Sequence, residues 1–307
     1  MSQGDSQVRL ARGGMSRRAK AALDIQCSQP QLLDADPRES RCVLLVHGFS
    51  GSPFELHLLA AFLHQRGYHC SLPLLSGHHG SMAELAHSRW SHWLNSAERA
   101  LAALWARTAA RSGKTPKLAV LGLSMGGLLT AELGYRYPLL SDPEQAGTQR
   151  PQVSALGIFA SPLWLTPFQE KGISLLARTP GIRRLFVPKL AGSDLRSDDF
   201  SFHRLRPKGM PLMALRSLLE LQQYVRPHLP SVTQPTLLAH GQQDHTAPYA
   251  CMSAYQAELG TPREQLSCLT LPDSYHLIPL DVERQQLFAA TAAHLEKYLG
   301  SPEFPSR

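Results

Sequence analysis

The chain has 307 residues, of which 43% are hydrophobic and 18% charged, and carries a formal charge of +7. That length builds one large α/β domain with an insertion, or two small domains, and the composition suits a globular core. No apolar run approaches a membrane span. The early cluster of Arg9, Arg12, Arg17, Arg18 and Lys20 lacks the apolar segment of a secretory signal. The five cysteines, Cys27, Cys42, Cys70, Cys251 and Cys268, are odd in number and show no C-x-x-C spacing. This argues against a disulfide framework or structural zinc and makes a reducing cytoplasm the expected compartment. The basic tail lacks interleaved aromatics, so no nucleic-acid partner is expected.

Residues 1–40 read as a basic, disordered leader, with 22–40 wrapping the surface. From Arg41 the pattern changes. The run "CVLLVHG" (42–48) predicts a buried parallel strand. "SPFELHLLAAFLHQRG" (52–67) predicts a helix, with Ser52 as N-cap, Pro53 at the first position, Glu55 closing a capping box and Gly67 ending it. "YHCSLPLL" (68–75) is a strand, residues 90–109 a helix and "KLAVLGL" (117–123) a strand. The helix after Ser124 stops at Pro138, and 153–161 is another strand. Residues 162–230 break the rhythm with prolines and charge clusters, and read as an insertion over the sheet. Strands return at 235–241 and 265–271, and a closing helix spans 281–299, followed by a tail at 301–307. Strands alternating with helices imply a mainly parallel sheet covered on both faces, with core segments 41–161 and 231–300.

Within this frame, Gly122-Leu123-Ser124-Met125-Gly126 follows a strand and opens a helix, the context of a nucleophile elbow. A serine hydroxyl needs a base. His276, between the last strand and the closing helix, lies on the same sheet edge, and Asp244 in "LLAHGQQDHTAP" follows a strand on that edge. Asp194, Asp198 and Asp199 lie in the insertion, and Asp273 is too close to His276 along the chain to reach it easily. The order Ser124, Asp244, His276 is that of an α/β-hydrolase. The N–H of Met125 and that of Phe49, in the loop "HGFSGSP", are the candidate oxyanion donors. His78, His79, His87 and His92 show no standard metal-site spacing.

The segments "LLVHGFSGSP", "GYHCSLPLLSGH", "LGLSMGG", "GQQDHTAP" and "DSYHLIPLDVERQQL" resemble the α/β-hydrolase superfamily, and within it the small bacterial carboxylesterases and monoacylglycerol lipases of the thermostable Bacillus type. The resemblance spans roughly residues 41–300 and is weakest in the insertion. It implies a serine hydrolase without metal or organic cofactor, a small cap over an acyl pocket, and an oxyanion hole at Phe49 and Met125. The expected substrates are short- to medium-chain acyl esters or monoacylglycerols, without stable membrane insertion. Two positions depart from the family pattern: Gly77-His78-His79 stands where Gly-His-Gly is usual, and Ala247 where Val or Ile is common. Leu163, Trp164, Leu165, Phe168, Leu175, Leu176, Leu185 and Phe186 of the insertion form an acyl-chain pocket if they face Ser124, or else bury the cap against the core. Acyl transfer or thioester hydrolysis would use the same triad. A noncatalytic binding protein on this fold would not need it, and a dehalogenase would carry Asp at position 124.

Overall fold

Strands that are apolar on both faces need helices on both faces, and that requirement sets the architecture. The computed structural model describes residues 17–78, 82–139, 150–178, 186–188, 194–199 and 209–301. In chain order the first elements are α1 (Arg17–Cys27), β1 (Gln31–Leu33), β2 (Arg41–Val46), a 3-10 turn (Pro53–Leu56), α2 (His57–His64), β3 (His69–Leu72), α3 (Met82–His87), α4 (Trp90–Ser112), β4 (Lys117–Leu123) and α5 (Met125–Arg136). They are followed by β5 (Val153–Phe159), α6 (Pro167–Arg178), β6 (Phe186–Pro188), β7 (Gly209–Pro211), α7 (Leu212–Val225), β8 (Thr236–Gly241), α8 (Ala250–Glu258), β9 (Leu266–Leu271) and α9 (Arg284–Leu299).

Among the described residues, seven strands form one sheet in the order β1-β3-β2-β4-β5-β8-β9. β1 runs antiparallel to β3, and every other neighbour pair is parallel. The expected parallel sheet with helices on both faces is therefore the architecture observed. Alternate residues feed two cores. Cys42, Leu44, Val46, Leu118 and Val120 pack with α4 and α5 on one face. Val43, Leu45, Ala119, Leu121 and Leu123 pack with α2 and α9 on the other. Among the described residues, no helix is long and apolar enough to cross a membrane.

The leader expected over residues 1–40 gives way to structure at Arg17. Residues 1–16 lie outside the described part. The sequence of α1 alternates charges with alanines and Leu23, and its Cys27 is buried while Leu23 packs against the same core. This four-residue spacing gives the helix a narrow apolar stripe that its charged composition hides. β1 then pairs Gln31 to Leu72 and Leu33 to Cys70, so it closes the sheet edge.

The start of β2 is held by a buried ion pair. Arg41 and Glu39 are 1% and 0% exposed, with Nη2 2.9 Å from Oε2. Arg41 also donates to the carbonyls of Gly300 and Arg66 and lies 4.3 Å over the Tyr68 ring. A buried ion left without its partner is costly. Glu39→Ala is expected to lower unfolding stability by roughly 3–5 kcal/mol in urea titrations followed by circular dichroism. A loss under about 1 kcal/mol would contradict this account of the pair.

Candidate active site

Ser124 sits between β4 and α5 with φ 56° and ψ −122°, a conformation that a non-glycine residue adopts only when its surroundings force it. The forcing is visible in the neighbouring glycines. A methyl on Gly126 would stand 2.1 Å from the Val46 carbonyl oxygen, and one on Gly122 would stand 2.0 Å from that of Gly126. The first turn of α5 thus crosses β2 at backbone contact. Ser124 N–H donates to the Phe159 carbonyl at 2.8 Å, and the Ser124 carbonyl accepts from Gly127 N–H at 2.8 Å. Its side chain lies at the N-terminus of α5, where free N–H groups and the helix dipole favour negative charge. Met125 N–H belongs to that first turn.

Phe49 lies in the loop after β2. Gly48 brings this loop against Ser124, since a methyl there would stand 3.2 Å from Ser124 Cβ. The sequence suggested that Glu55 completes a capping box. Instead, a 3-10 turn precedes α2, Ser52 caps nothing with its side chain, and its hydroxyl donates to Ser28 Oγ at 3.1 Å. The buried Glu55 carboxylate accepts from Gly48 N–H at 2.9 Å and so braces the loop that carries Phe49. The Phe49 ring meets Trp93 edge-on at 5.6 Å and His78 at 6.2 Å. Burial, helped by nearby His47, pushes His78 down to about 3, so it is neutral near neutral pH. His79, the departure from the family pattern, lies outside the described residues.

Two further loops meet on the same edge. A methyl on Gly241 would strike the carbonyl oxygens of Tyr275 and Ser274 at 2.3 and 2.4 Å, so the turns after β8 and β9 touch. The crossing sets Asp244 beside His276: Nδ1–H donates to Asp244 Oδ2 at 2.7 Å. Oδ1 accepts from the N–H groups of Thr246 and Ala247 at 2.7 and 2.9 Å. Ala247 therefore contributes its backbone rather than its small side chain. Burial alone would raise the Asp244 carboxyl. The charge of His276 and hydrogen bonds from His240 and His276 outweigh it and hold the group well below the usual carboxylate range. With Nδ1 committed to Asp244, Nε2 of neutral His276 is the proton acceptor.

The other aspartates lie elsewhere. Asp194 accepts the Thr246 hydroxyl at 2.7 Å, and its carbonyl accepts from Leu277 N–H at 3.0 Å, so it spans both loops. Asp273 pairs with Arg196, and Asp199 with Arg284. Sequence reasoning missed the part played by Asp281. This fully buried carboxylate accepts from the N–H groups of Arg196, Ser197, Tyr275 and Val282. It fastens residues 196–197 of the insertion to the residue before His276. The run "HLIPLD" was its one sequence signal, and that signal came from family likeness.

In the insertion, the apolar candidates are placed differently from one another. Leu175, Leu176 and Phe186 are 70%, 40% and 48% exposed. On α6 it is Ile173 and Ala177, one turn apart, that face inward with Leu212, Leu215 and Leu219 of α7. Phe49 and Leu165 pack against this small core, so the insertion abuts the loop beside Ser124. Leu163 is buried and Trp164 half-buried in the main core. Leu185 lies outside the described residues, as does the side chain of Phe168.

The model of the Alpha/beta hydrolase family matches residues 43–291. The chain belongs to that family. Among its hydrolase relatives, a carboxylesterase of Bacillus subtilis (strain 168) is 24% identical over 257 residues, 84% of this chain and 93% of the relative. A thermostable monoacylglycerol lipase of Bacillus sp. (strain H-257) is 24% identical over 260 residues, covering 84% and 91%. Among solved structures, one from the metagenome-derived lipolytic enzymes LipS and LipT superimposes with a TM-score of 0.73 at 24% identity, over 88% of this chain and 98% of the other. A soluble variant of monoglyceride lipase from Saccharomyces cerevisiae gives 0.69 at 15% identity, over 88% and 91%.

Gly126→Ala is expected to cost more than about 4 kcal/mol or to prevent folding, because backbone on both sides blocks the methyl. Gly172→Ala, on α6 with open space around it, is expected to be neutral or stabilising by up to about 1 kcal/mol. Urea midpoints of the two variants check this, and a well-folded Gly126→Ala protein would refute the crossing.

Proposed function

We propose that this hydrolase-family chain is a serine carboxylic-ester hydrolase acting through Ser124, His276 and Asp244. The carrying observation is the Asp244–His276 hydrogen bond, formed on the same strand edge as a serine held at positive φ. In this reading His276 Nε2 takes the Ser124 proton as Oγ attacks the ester carbonyl. The N–H groups of Phe49 and Met125 hold the resulting oxyanion. His276 then gives its proton to the leaving alcohol, and the acyl-enzyme forms. A water deprotonated by His276 attacks that acyl group, and collapse of the second oxyanion returns free Ser124 and the carboxylic acid. Asp244 stays ionised throughout, holding Nδ1–H and stabilising the imidazolium.

Because Asp244 is held below the usual carboxylate range, it stays ionised as pH falls, and the acid limb of activity belongs to protonation of His276. The names of the two Bacillus relatives, a carboxylesterase and a monoacylglycerol lipase, support carboxylic esters or monoacylglycerols as substrates, and short to medium acyl chains are the range proposed. The packing of the insertion against Phe49 supports a cap beside the acyl group. The five unpaired thiols support a reducing, cytoplasmic setting.

The test is turnover of p-nitrophenyl esters from acetate to palmitate, and of matching monoacylglycerols, by wild type and Ser124→Ala. Wild type is expected to show a chain-length optimum, and the variant to lose roughly 10⁴-fold or more in kcat. A folded wild type that cleaves acyl-thioesters but no oxygen ester would overturn the carboxylesterase reading.

A further inference from the structure

The chemistry proposed above uses one imidazole on Asp244, yet the carboxylate has two. Oδ2, which accepts from His276 at 2.7 Å, also lies 3.1 Å from Nε2 of His240. His240 is 1% exposed and stands on β8, near the end of a strand paired on both sides. The same Nε2–H is hydrogen-bonded to the Ala247 carbonyl oxygen at 3.3 Å, so one N–H is shared between that carbonyl and Oδ2. Both of its neighbours are acceptors, so Nε2 carries a proton and donates. The ring is held edge-on by Tyr249 at 5.7 Å.

The donors on the two carboxylate oxygens differ in origin. Those on Oδ1 come from Thr246 and Ala247, within the turn that carries Asp244 itself. The His240 donor comes from the sheet. Two imidazoles thus share one oxygen, and whatever charge Oδ2 commits to His240 is withheld from His276.

We propose that His240 is a positioning residue for the Asp244–His276 pair, its Nε2–H anchoring Oδ2 to the sheet and sharing the carboxylate's charge between two imidazoles. This rests on the reading of Ser124, His276 and Asp244 as a triad. The physical consequence has a definite sign. An N–H donor on Oδ2 weakens the field that Asp244 exerts on His276, so the His276 imidazolium is less favoured than beside an unshared carboxylate. Removing that donor while Thr246 and Ala247 keep Oδ1 in place raises the pKa of His276. The acid limb of kcat/KM then moves to higher pH. The other ionisable groups near these loops are Cys251 of α8, Tyr249 beside His240, His245 against Tyr275, Asp194 on Thr246, the buried Asp281 on Tyr275 N–H, Asp273 with Arg196, and Glu283 on the Ser274 hydroxyl. All are left in place by a change at position 240.

The test compares wild type, His240→Phe and His240→Gln. His240→Phe keeps the ring volume without the donor, and His240→Gln returns an N–H near the same point. The readouts are the pH profile of kcat/KM on a p-nitrophenyl ester and an NMR titration of the His276 ring. His240→Phe is expected to shift both midpoints up by about half to one pH unit, with His240→Gln close to wild type. A folded His240→Phe protein whose midpoints stay put or move down would overturn the proposal. A purely packing role for His240 would lower thermal stability and leave the titration unmoved. Should His240→Phe fail to fold, the wild-type spectrum still decides. The His240 Nε2–H resonance is expected to shift with the same midpoint as His276, and a resonance indifferent to that titration overturns the proposal. The NMR readouts need no turnover, so a wild type inactive on esters would sink the hydrolase reading while still reporting on His240.

Discussion

Everything at the strand edge depends on one backbone crossing. The first turn of α5 passes over β2 with no room for a side chain between Gly126 and the Val46 carbonyl. That contact fixes where the helix starts, and the helix start fixes Ser124 at φ 56°. The strain is local, and the restoring forces are distributed. β4 is buried on both faces, between one core built with α4 and α5 and another built with α2 and α9. A strand so enclosed cannot relax its last residue without breaking two cores.

The same device recurs at Gly241, where the turns after β8 and β9 touch. It places a carboxylate and an imidazole in register although they are far apart along the chain. Buried carboxylates then act as fasteners around the site. Glu55 holds the loop after β2, and Asp281 ties the His276 loop to residues 196–197. Each accepts backbone N–H groups, which binds loop geometry rather than side-chain identity. Placement of the candidate chemistry thus rests on close backbone approach and on buried anions satisfied by amides.

The parts legible in the sequence were those with a local signature. Runs such as "CVLLVHG" and "KLAVLGL" announce strands buried on both faces, and glycines around Ser124 announce a tight turn. Chain order supplied Asp244 and His276. What stayed hidden depends on contacts between distant segments. The helix at Arg17–Cys27 has too thin an apolar stripe to stand out among its charges, and β1 is a three-residue strand made by pairing with β3. Glu55 carries the right spacing for a capping box, but a 3-10 turn shifts the helix start and frees it for Gly48. Leu175 and Leu176 look like pocket residues by composition, whereas the 3.6-residue period turns them outward. His240 is a strand residue by pattern, and its reach to Asp244 appears only when the turn between them is built.

The central claim is that Ser124 is an activated nucleophile. Exposure of the folded protein to a fluorophosphonate, followed by peptide mass spectrometry, tests it most directly, with His276→Ala in parallel. The account predicts one covalent adduct, on Ser124, formed in wild type and reduced by orders of magnitude in the variant. A folded wild type that takes no label at Ser124, or labels equally without His276, would contradict it.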